Sequence, residues 1–392
     1  MTGWRSVRLE DCCEIVSGST PSTSESAYWN GDICWATPKD LSELRGPYIS
    51  DTPRKLTRAG LASCAAAVLP AGSVLFSSRA PIGHVAVNTV PMATNQGFKS
   101  FVPDPNRVHA KFLYYWLRRN RPYLEGLGNG ATFKEVSKAV VSRIEIALPS
   151  VPEQRRIAEV LDRAEALRAK RRAALAQLDT LTQSIFLDMF GDPATNPKGW
   201  PRKSISDVAT VITGNTPSRA VPGYYGTDIE WIKSDNINTP DYYLTRAHEG
   251  LSALGRAVAR MVPPRSILVT CIAGSPACIG NAAMTDREVA FNQQINAVVP
   301  RNVDSHFLYV QLLVGKRLVQ QASTSGMKGM VSKSRFERIM LMCPPIPLQR
   351  KFADRVVFAE TLKVTHRTSL AELDALFASL QQRAFRGDGG RT

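Results

Sequence analysis

Two pairs of adjacent amide side chains, Asn95-Gln96 and Asn292-Gln293, occur at equivalent places in the two halves of the chain. An amide carries both a donor and an acceptor, so Asn or Gln can form two hydrogen bonds with one adenine. Polar residues typical of turns surround both pairs. The pattern indicates contact with DNA bases or backbone, and an amide pair that only closes a turn is the alternative.

Cationic and polar side chains on predicted loops are further candidates for contact with DNA. Arg and Lys can bind guanine or hold a phosphate, and hydroxyl and amide groups also contact the backbone. A solvated loop charge is the alternative for each cation. The candidates are Lys39, Arg79, Lys99, Thr132, Lys134 and Lys138 in the first half, and Lys233, Asn236, Thr270, Lys328 and Lys333 in the second.

Patterns typical of enzymes that act on DNA are missing from the sequence. It contains no Gly-x4-Gly-Lys-Ser/Thr phosphate loop and no Asn/Asp-Pro-Pro-aromatic tetrapeptide of amino-methyltransferases. Gly126, Gly128 and Gly130 follow no convincing strand, so a glycine-rich loop explains them better than a cofactor site. No nucleophile–base pair, carboxylate cluster or zinc-type Cys/His spacing stands out. We therefore expect no catalytic residue, no metal site and no cofactor bound by this chain.

Charge and composition bound the kind of partner. The 392 residues carry a formal net charge of +15, with 44% hydrophobic and 21% charged residues. That charge favours an acidic polymer as partner, because Lys and Arg that neutralise phosphates release counterions; a solubilising surface excess is the alternative. The first residues lack a secretory signal and no apolar run approaches membrane-spanning length. We expect a cytoplasmic protein that contacts no membrane and keeps its cysteines reduced.

The sequence matches itself when it is shifted by 195 to 197 residues. A period this long indicates two copies of a whole domain. Two copies of one binding surface suit a target that itself has two parts. The aligned segments are 16–22 with 212–218, 32–35 with 228–231, and 136–138 with 331–333.

Each copy divides into a globular part and a helical tail. The globular parts contain short β-rich runs bounded by turn residues, at 72–76, 84–88 and 266–270, and predicted helices at 111–119 and 305–319. This mixture predicts the α+β class. The glycines, prolines and tryptophans that recur in both copies are predicted to serve folding.

The helical tails repeat apolar residues with heptad spacing. Arg171 and His366 interrupt equivalent places in the pattern. The spacing predicts two helices about 55 Å long that pair as a coiled coil. A helix packed on its own domain is the alternative. If the helices are antiparallel, Arg171 and His366 meet and fix the register. The apolar series are Ile157, Ala164, Leu178 and Ile185 with Val160, Leu167, Ala174 and Leu181, and Phe352, Ala359, Leu373 and Leu380 with Leu362 and Leu376.

These patterns divide the chain into four segments. Globular domains are predicted over 1–150 and 193–346, and long helices over 151–192 and 347–388. Prolines before each helix predict abrupt junctions between domain and helix.

The order of these motifs resembles the specificity subunits of type I restriction-modification systems. Each copy begins with a Gly-x-Thr-Pro turn and an Asp-Ile-x-Trp segment, and closes with Pro-x-Gln-Arg residues that lead into a long helix. The closing segments are 148–157 and, less perfectly, 343–352. Leu348 departs from the pattern, because the first copy has Glu153 at that place. The resemblance covers essentially the whole chain.

The resemblance implies a fold of two target-recognition domains separated by two long helices that pair as an antiparallel coiled coil. It implies a chain without catalysis of its own that reads a bipartite, gapped sequence in double-stranded DNA. The implied partners are two methyltransferase subunits, which use S-adenosylmethionine, and restriction subunits, which use ATP and Mg. A self-contained DNA-modifying enzyme and a structural scaffold are the alternatives. Contact with partner subunits is expected at Glu153, Gln154, Arg155, Gln349 and Arg350.

Overall fold

The structure is a computed structural model that describes residues 4–79, 81–129, 134–324 and 329–386. Thr132 and Lys328, two candidates for DNA contact, lie outside the described residues. The chain divides into two compact units. The first comprises Met1–Lys170 and Leu370–Thr392, and the second comprises Arg171–Ser369. The four-segment division made from the sequence stays a prediction.

The first unit combines short strands with short helices, and α7 (Val151–Phe190) begins in it. One sheet has the strand order β2-β9-β6-β7-β4 and another has the order β5-β3-β8, while β1 pairs with β10. The strands are β1 (Arg5–Arg8), β2 (Cys13–Ser17), β3 (Trp29–Ala36), β4 (Tyr48–Ile49), β5 (Lys55–Leu56), β6 (Val74–Phe76), β7 (Val85–Asn88), β8 (Met92–Thr94), β9 (Lys99–Pro103) and β10 (Glu145–Leu148). The short helices are α1 (Leu9–Cys12), α2 (Pro38–Ser42), α3 (Arg58–Ala62), α4 (Ala110–Arg119), α5 (Arg121–Gly126) and α6 (Lys138–Ser142).

The second unit repeats this plan. Its sheets have the orders β12-β20-β16-β18 and β14-β13-β19-β15, and β17 pairs with β21 and β11 with β22. The strands are β11 (Arg202–Ser204), β12 (Ala209–Thr213), β13 (Tyr225–Ile232), β14 (Gly250–Leu251), β15 (Met261–Val262), β16 (Ile267–Thr270), β17 (Ile272–Ala273), β18 (Ala282–Met284), β19 (Val289–Phe291), β20 (Ile295–Pro300), β21 (Gly329–Met330) and β22 (Met340–Met342). The helices are α8 (Ile205–Val208), α9 (Ala253–Val258), α10 (Ser305–Val314), α11 (Lys316–Gln321), α12 (Lys333–Glu337) and α13 (Ile346–Arg386).

The three predicted β-rich runs are confirmed as β6, β7 and β16, each one or two residues shorter at its start. All three residues of β6 are fully buried. A strand covered on both faces is apolar at successive positions rather than at alternate ones. The same runs therefore form the centre of the core in both units.

The helix predicted over 305–319 is in fact two helices, α10 and α11, separated at Gly315. A Cβ at Gly315 would lie 2.8 Å from the Gln311 carbonyl oxygen and 3.1 Å from Pro193 Cβ. Glycine is needed where the backbone approaches its neighbours this closely. The apolar pattern continues across the break, which is why the pattern alone predicted one helix.

Helices α7 and α13 confirm the two long predicted helices, with 40 and 41 residues respectively. Pro152 and Pro347 lie in their first turns, where the backbone nitrogen needs no hydrogen bond. Helix α7 begins at the predicted residue 151, and α13 begins at 346, one residue before the predicted start. The helices run antiparallel within each unit. Arg168 of α7 binds Asp374 of α13 in the first unit, and the ring of Phe186 packs on that of Phe352 in the second.

On each long helix, one of the two series of buried residues lies one position after the predicted one. The series that begins at Ile157 is correct, but Val160, Leu167, Leu181 and Leu376 are exposed. The second series lies four residues after each member of the first, as with Leu161 in α7, and Val356 and Phe377 in α13. Spacings of three and four residues alternate in a heptad, so one series allows either partner. The observed second series contains the polar residues Arg168, Thr182 and Lys363, so a search for apolar residues does not reveal it.

Ion pairs satisfy the cations of this buried series. The Arg168 guanidinium binds Glu165 at 2.6 Å on its own helix and Asp374 at 2.5 Å on α13. Lys363 of α13 binds Glu360 at 2.9 Å and Asp179 of α7 at 3.3 Å. Each cation thus joins the two helices, because it shares its charge between carboxylates on both.

Candidate nucleic-acid interface

In the first unit, the Gly-x-Thr-Pro turn packs directly against the Asn-Gln turn. The amide of Ser19 donates to the Thr94 carbonyl at 2.9 Å, and Thr20 Oγ1 donates to Gln96 Oε1. A Cβ at Gly18 would overlap the carbonyl oxygen of Asn95. Glycine is required here because the two backbones touch.

The second unit has the same arrangement. The amide of Asn215 donates to the Phe291 carbonyl at 3.0 Å, and Thr216 Oγ1 donates to Gln293 Oε1. A Cβ at Gly214 would overlap the carbonyl oxygen of Asn292. Two motifs that are about 75 residues apart in each copy therefore form one surface in the fold.

Within each pair the asparagine and the glutamine play different parts. Asn95 Oδ1 accepts from the Gly97 amide at 2.9 Å, and Asn292 Oδ1 accepts from the Gln294 amide at 3.1 Å. Asn292 is only 7% exposed, so its predicted contact with DNA is wrong and it closes the turn instead. Gln96 and Gln293 are exposed, and neither amide NH₂ has a protein acceptor among the described residues. The glutamines are therefore the members of each pair that can reach a ligand.

A tryptophan holds each Gly-x-Thr-Pro turn in place. Trp35 Nε1 donates to the Ser19 carbonyl at 3.0 Å, and Trp231 Nε1 donates to the Asn215 carbonyl at 3.2 Å. Both indoles are buried. These contacts agree with the structural role that the duplication predicts for the tryptophans.

Cations of the first unit cluster beside the Gln96 turn. Glu135 binds Lys99 at 3.1 Å and Arg79 at 3.6 Å. Lys99 is 8% exposed, so the prediction that it contacts DNA is wrong, and it balances the carboxylate instead. About a third of the Arg79 side chain is exposed, and Lys39, Lys134 and Lys138 are exposed.

Pro38 and Arg79 pack close to the Gln96 turn, because Gly97, which follows Gln96, has no side chain. A Cβ at Gly97 would lie 3.2 Å from Pro38 Cγ and 3.5 Å from Arg79 Cγ. Lys39 follows Pro38 in α2, whose N-terminus is capped by the Thr37 side chain. The described part of this surface therefore combines one exposed amide with several cations.

In the second unit the fold hides two of the predicted DNA contacts. Thr270 is fully buried on β16, and Asn236 accepts from the Lys233 amide at 3.1 Å and donates to the Arg246 carbonyl at 3.2 Å. Both predictions are wrong, because buried side chains cannot reach DNA. Lys233 is partly exposed and Lys333 is exposed, 3.6 Å from Glu337.

The two sequence copies also match one family twice. The model of the type I restriction modification DNA specificity domain family matches residues 1–177 and again residues 197–371. The chain belongs to this family. The double match confirms the internal duplication.

Two type I restriction enzyme specificity subunits are similar in sequence to part of this chain. The MjaIX type I restriction enzyme specificity subunit of Methanocaldococcus jannaschii is 35% identical over 236 residues, which are 56% of this chain and 54% of that protein. The HindI specificity subunit of Haemophilus influenzae is 32% identical over 174 residues, 42% of this chain and 37% of that protein. The matches thus span about half or less of these relatives.

Solved structures of the family share the fold. A chain from a structure of type I R-M system complex assembly and conformational transition has a TM-score of 0.62 at 19% identity and covers 99% of both chains. The S subunit of a type I restriction-modification system from M. genitalium has a TM-score of 0.58 at 13% identity, covering 98% of this chain and 96% of that one. The α+β class with two long helices is confirmed.

Gln154 and Gln349, at the starts of α7 and α13, have structural roles. Gln154 Nε2 donates to the carbonyls of Arg107 and Pro149, each at 2.9 Å, and its Oε1 accepts from the His109 amide at 2.8 Å. Gln349 Nε2 donates to the Pro344 carbonyl at 2.7 Å, and its Oε1 accepts from an amide at 2.9 Å. Both side chains are buried. Their predicted contact with a partner subunit is wrong, because they fasten each helix to its own domain.

The remaining partner candidates lie at the surface of the helix starts. Arg155 and Arg350 are exposed, whereas Glu153 is partly buried and binds Arg156 at 2.7 Å. The Arg156 guanidinium lowers the pKa of the Glu153 carboxyl below its usual value. These three positions stay predictions.

One carboxylate in each unit is shared by two cations. Glu135 has Arg79 and Lys99, and Glu249 has Arg219 and Lys233. The hydrogen bond from Arg219 lowers the pKa of Glu249, and Lys233 adds to this effect. Each group keeps one excess positive charge near its Asn-Gln turn, which favours an anionic ligand.

No pattern in the sequence marks Arg54 or Arg219 as a candidate for contact with a ligand. Each guanidinium lies on a pair of aromatic rings next to the Gly-x-Thr-Pro turn. Their positions do not match in the two copies, so the duplication gave no signal for them.

Within residues 4–79, 81–129, 134–324 and 329–386, no group of three or more His, Cys, Asp or Glu side chains could hold a metal ion. In the same ranges no helix has the length and apolar character needed to cross a membrane. All seven cysteines lie in these ranges and none forms a disulfide.

Proposed function

We propose that this chain reads a bipartite, gapped sequence in double-stranded DNA, with one half of the target read by each globular domain. The duplicated surface carries this proposal. Each unit presents one exposed glutamine, held by a threonine on the neighbouring turn, beside a carboxylate that two cations over-neutralise. Glutamine suits adenine, and excess positive charge suits phosphate.

The paired helices α7 and α13 set the unspecified gap between the two halves of the target. A helix of 40 residues is roughly 60 Å long, more than one turn of about 34 Å of duplex DNA. Buried ion pairs between the helices favour one register, and hence one gap length.

The chain acts without catalysis of its own in the cytoplasm, as part of a phage-defence complex. Two methyltransferase subunits dock on it and use S-adenosylmethionine to methylate adenine, and restriction subunits use ATP and Mg to cleave unmodified DNA. The exposed Arg155 and Arg350 at the helix starts are the candidate contacts with partner subunits, together with Glu153.

Methylome sequencing of cells that carry the methyltransferase partner, with and without this chain, tests the proposal. We expect methylated adenines in one sequence made of two short specified blocks and a constant gap, present only with the chain. Methylation in a single uninterrupted block, or methylation that ignores sequence, would contradict it. Turnover of DNA by the purified chain alone would favour the self-contained enzyme.

Substitution of the exposed glutamines tests which surface reads which block. Gln96→Ala should change or abolish recognition in one block and Gln293→Ala in the other, because each removes an amide that lies on one unit only. Gln177→Ala is the matched control, since Gln177 is an exposed glutamine of α7. If both variants changed the same block, the assignment of one block to each domain would be wrong.

A further inference from the structure

An arginine is stacked on an aromatic pair in the first unit. The Arg54 guanidinium carbon lies 3.6 Å from the centroid of the Trp29 ring and 5.1 Å from that of Trp35. The two indoles are 5.1 Å apart in an edge-on arrangement. Arg54 is exposed, and it forms no ion pair with a carboxylate among the described residues. The cation therefore has a fixed place on the surface without a protein partner for its charge.

The second unit has the same arrangement with different residues. The Arg219 guanidinium carbon lies 4.2 Å from the Tyr225 ring and 5.5 Å from the Trp231 ring. The two rings are 6.0 Å apart, again edge-on. Arg219 also binds Glu249, which binds Lys233 in turn. Arg219, Lys233 and Glu249 together carry one excess positive charge, as Arg54 does in the first unit.

The two arginines come from different positions of the duplicated sequence. Tyr225 and Trp231 are the counterparts of Trp29 and Trp35, at an offset of 196. The carbonyl that accepts from the Trp35 amide belongs to Arg54, whereas the one that accepts from the Trp231 amide belongs to Glu249.

The position of Arg54 thus carries an acid in the second copy. The same offset of 196 places Thr23 at the counterpart of Arg219. The two copies share the place of the guanidinium in the fold and not its place in the sequence. A solvated surface charge gives no reason for that coincidence, whereas a need for a cation on this aromatic pair does.

Stacking leaves the N–H edges of the Arg54 guanidinium free, whereas Glu249 occupies part of the Arg219 edge. The N–H groups of a guanidinium lie in its plane, so a ring stacked on one face of the group does not cover these donors. The ring limits the motion of the side chain, which reduces the entropy lost when it binds a ligand. A planar fork of donors matches a phosphate or the O6 and N7 atoms of guanine.

In each unit, one ring of the aromatic pair also donates a hydrogen bond to the Gly-x-Thr-Pro turn that holds the exposed glutamine. Trp29 Nε1 donates to the Ser22 carbonyl at 3.0 Å, within the turn whose Thr20 holds Gln96. In the second unit Tyr225 Oη donates to the Pro217 carbonyl at 2.7 Å, next to Thr216, which holds Gln293. Each stacked arginine is therefore fixed to the turn that holds the exposed amide of its unit.

We propose that Arg54 and Arg219 contact DNA through their in-plane N–H groups, with the aromatic pair beneath each one as its positioning device. The proposal rests on the proposed function and adds to it one contact in each half of the target. The ligand group is a phosphate or a guanine edge. Arg54 carries the stronger contact, because Glu249 partly neutralises Arg219.

The test uses the full chain in complex with its methyltransferase partner and a duplex that carries the methylated sequence. Binding is measured by fluorescence anisotropy over a range of salt concentrations for Arg54→Ala, Arg54→Lys, Arg219→Ala and the control Arg58→Ala. Arg58 is an exposed arginine on α3 of the same unit. We expect about tenfold or greater weakening for Arg54→Ala, a smaller loss for Arg219→Ala, and binding close to wild type for Arg58→Ala.

The same measurements distinguish a phosphate contact from a guanine contact. A phosphate contact weakens binding to every sequence alike and reduces the slope of log affinity against log salt by about 1. A guanine contact relaxes the methylated sequence at one position and leaves nonspecific binding unchanged. Either outcome supports the proposal, and Arg54→Lys should recover more of the phosphate contact than of the guanine contact.

Substitution of the ring tests the positioning role without touching the arginine. Trp29→Tyr keeps an aromatic face and should retain most of the affinity, whereas Trp29→Leu should weaken binding although Arg54 is present. The midpoint of thermal unfolding is recorded for every variant. Binding of Arg54→Ala equal to that of Arg58→Ala, or a loss that merely follows a loss of folded protein, would overturn the proposal. Failure of the wild-type complex to prefer its sequence would instead overturn the proposed function.

Discussion

Arg171 of α7 and His366 of α13 meet, with Arg171 Nη1 2.7 Å from His366 Nδ1. A guanidinium can only donate, so the imidazole nitrogen must accept and the ring proton must lie on Nε2. The two residues occupy equivalent places in the duplicated helices. The contact predicted from the sequence is confirmed, and its role in fixing the register stays a prediction.

A double-mutant cycle measures the energy of this contact. Arg171→Ala and His366→Ala should each lower the free energy of unfolding by about 1 kcal/mol, and the double variant should lose less than the sum because the shared hydrogen bond is lost once. Urea unfolding of the three variants and the wild type gives the coupling. Strictly additive losses would mean that the contact contributes nothing.

The junction glutamines should matter far more for stability than the arginines beside them. Gln154→Ala removes the side-chain partner of the His109 amide and of two carbonyls in a buried place, and Gln349→Ala removes that of the Asp304 amide and of one carbonyl at α13. Each should cost roughly 1–3 kcal/mol of unfolding free energy. Arg155→Ala and Arg350→Ala are exposed controls that should change it by less than about 0.5 kcal/mol. Equal losses in both sets would refute the structural role.

The close contact between the two duplicated turns should not tolerate a methyl group. Gly18→Ala forces its Cβ into the Asn95 carbonyl, so we expect a loss of about 1–3 kcal/mol in unfolding free energy. Gly46→Ala is the matched control, since nothing lies within 4 Å of its Cβ position. Chemical denaturation compares the two. A stable Gly18→Ala variant would show that the turns can separate without cost.

Glu230 should make the stability of the second unit sensitive to acid. Arg287 binds both carboxylate oxygens at 2.7 Å, and this pairing, helped by the Ala247 amide and Arg246, lowers the Glu230 pKa from 4.5 to about 2. A lowered folded-state pKa gives stability that is complete above pH 4.5 and is lost as the pH falls toward 2.

Glu230→Gln isolates this contribution. At pH 7 it should lower the free energy of unfolding by roughly 1–2 kcal/mol, because Arg287 and Arg246 lose their charged acceptor. The difference from wild type, followed by denaturation across pH, should shrink as the wild-type carboxyl is protonated. A difference that stays constant down to pH 2 would assign the effect to packing.

Local patterns predicted much of the fold, and the errors have physical causes. The core strands and both long helices are recognisable because one type of contact repeats along each of them. The second helix series was misplaced since Arg168 and Lys363 are buried by ion pairs that join residues over 180 apart. Sequence spacing contains no information about such partners.

The candidate site was predicted in the same uneven way. The Asn-Gln and Gly-x-Thr-Pro motifs were found because both copies keep them, and their contact in each unit explains why. The polarity of Gln154 favours an exposed residue that contacts a partner, whereas its three hydrogen bonds lie inside the domain. No sequence pattern marks Arg54, because its aromatic support is assembled only by the fold.

The end of α13 belongs to the first unit, where Phe385 packs on Phe112 and Phe377 on Tyr115. A ribosome makes residues 370–386 only after it has made every residue of the second unit. The unit that emerges first is thus completed last, and its apolar face around Phe112 waits uncovered during synthesis of some two hundred residues. Premature termination anywhere in that interval leaves both halves of the molecule unfinished, so partial chains are natural substrates for chaperones and proteases rather than for assembly.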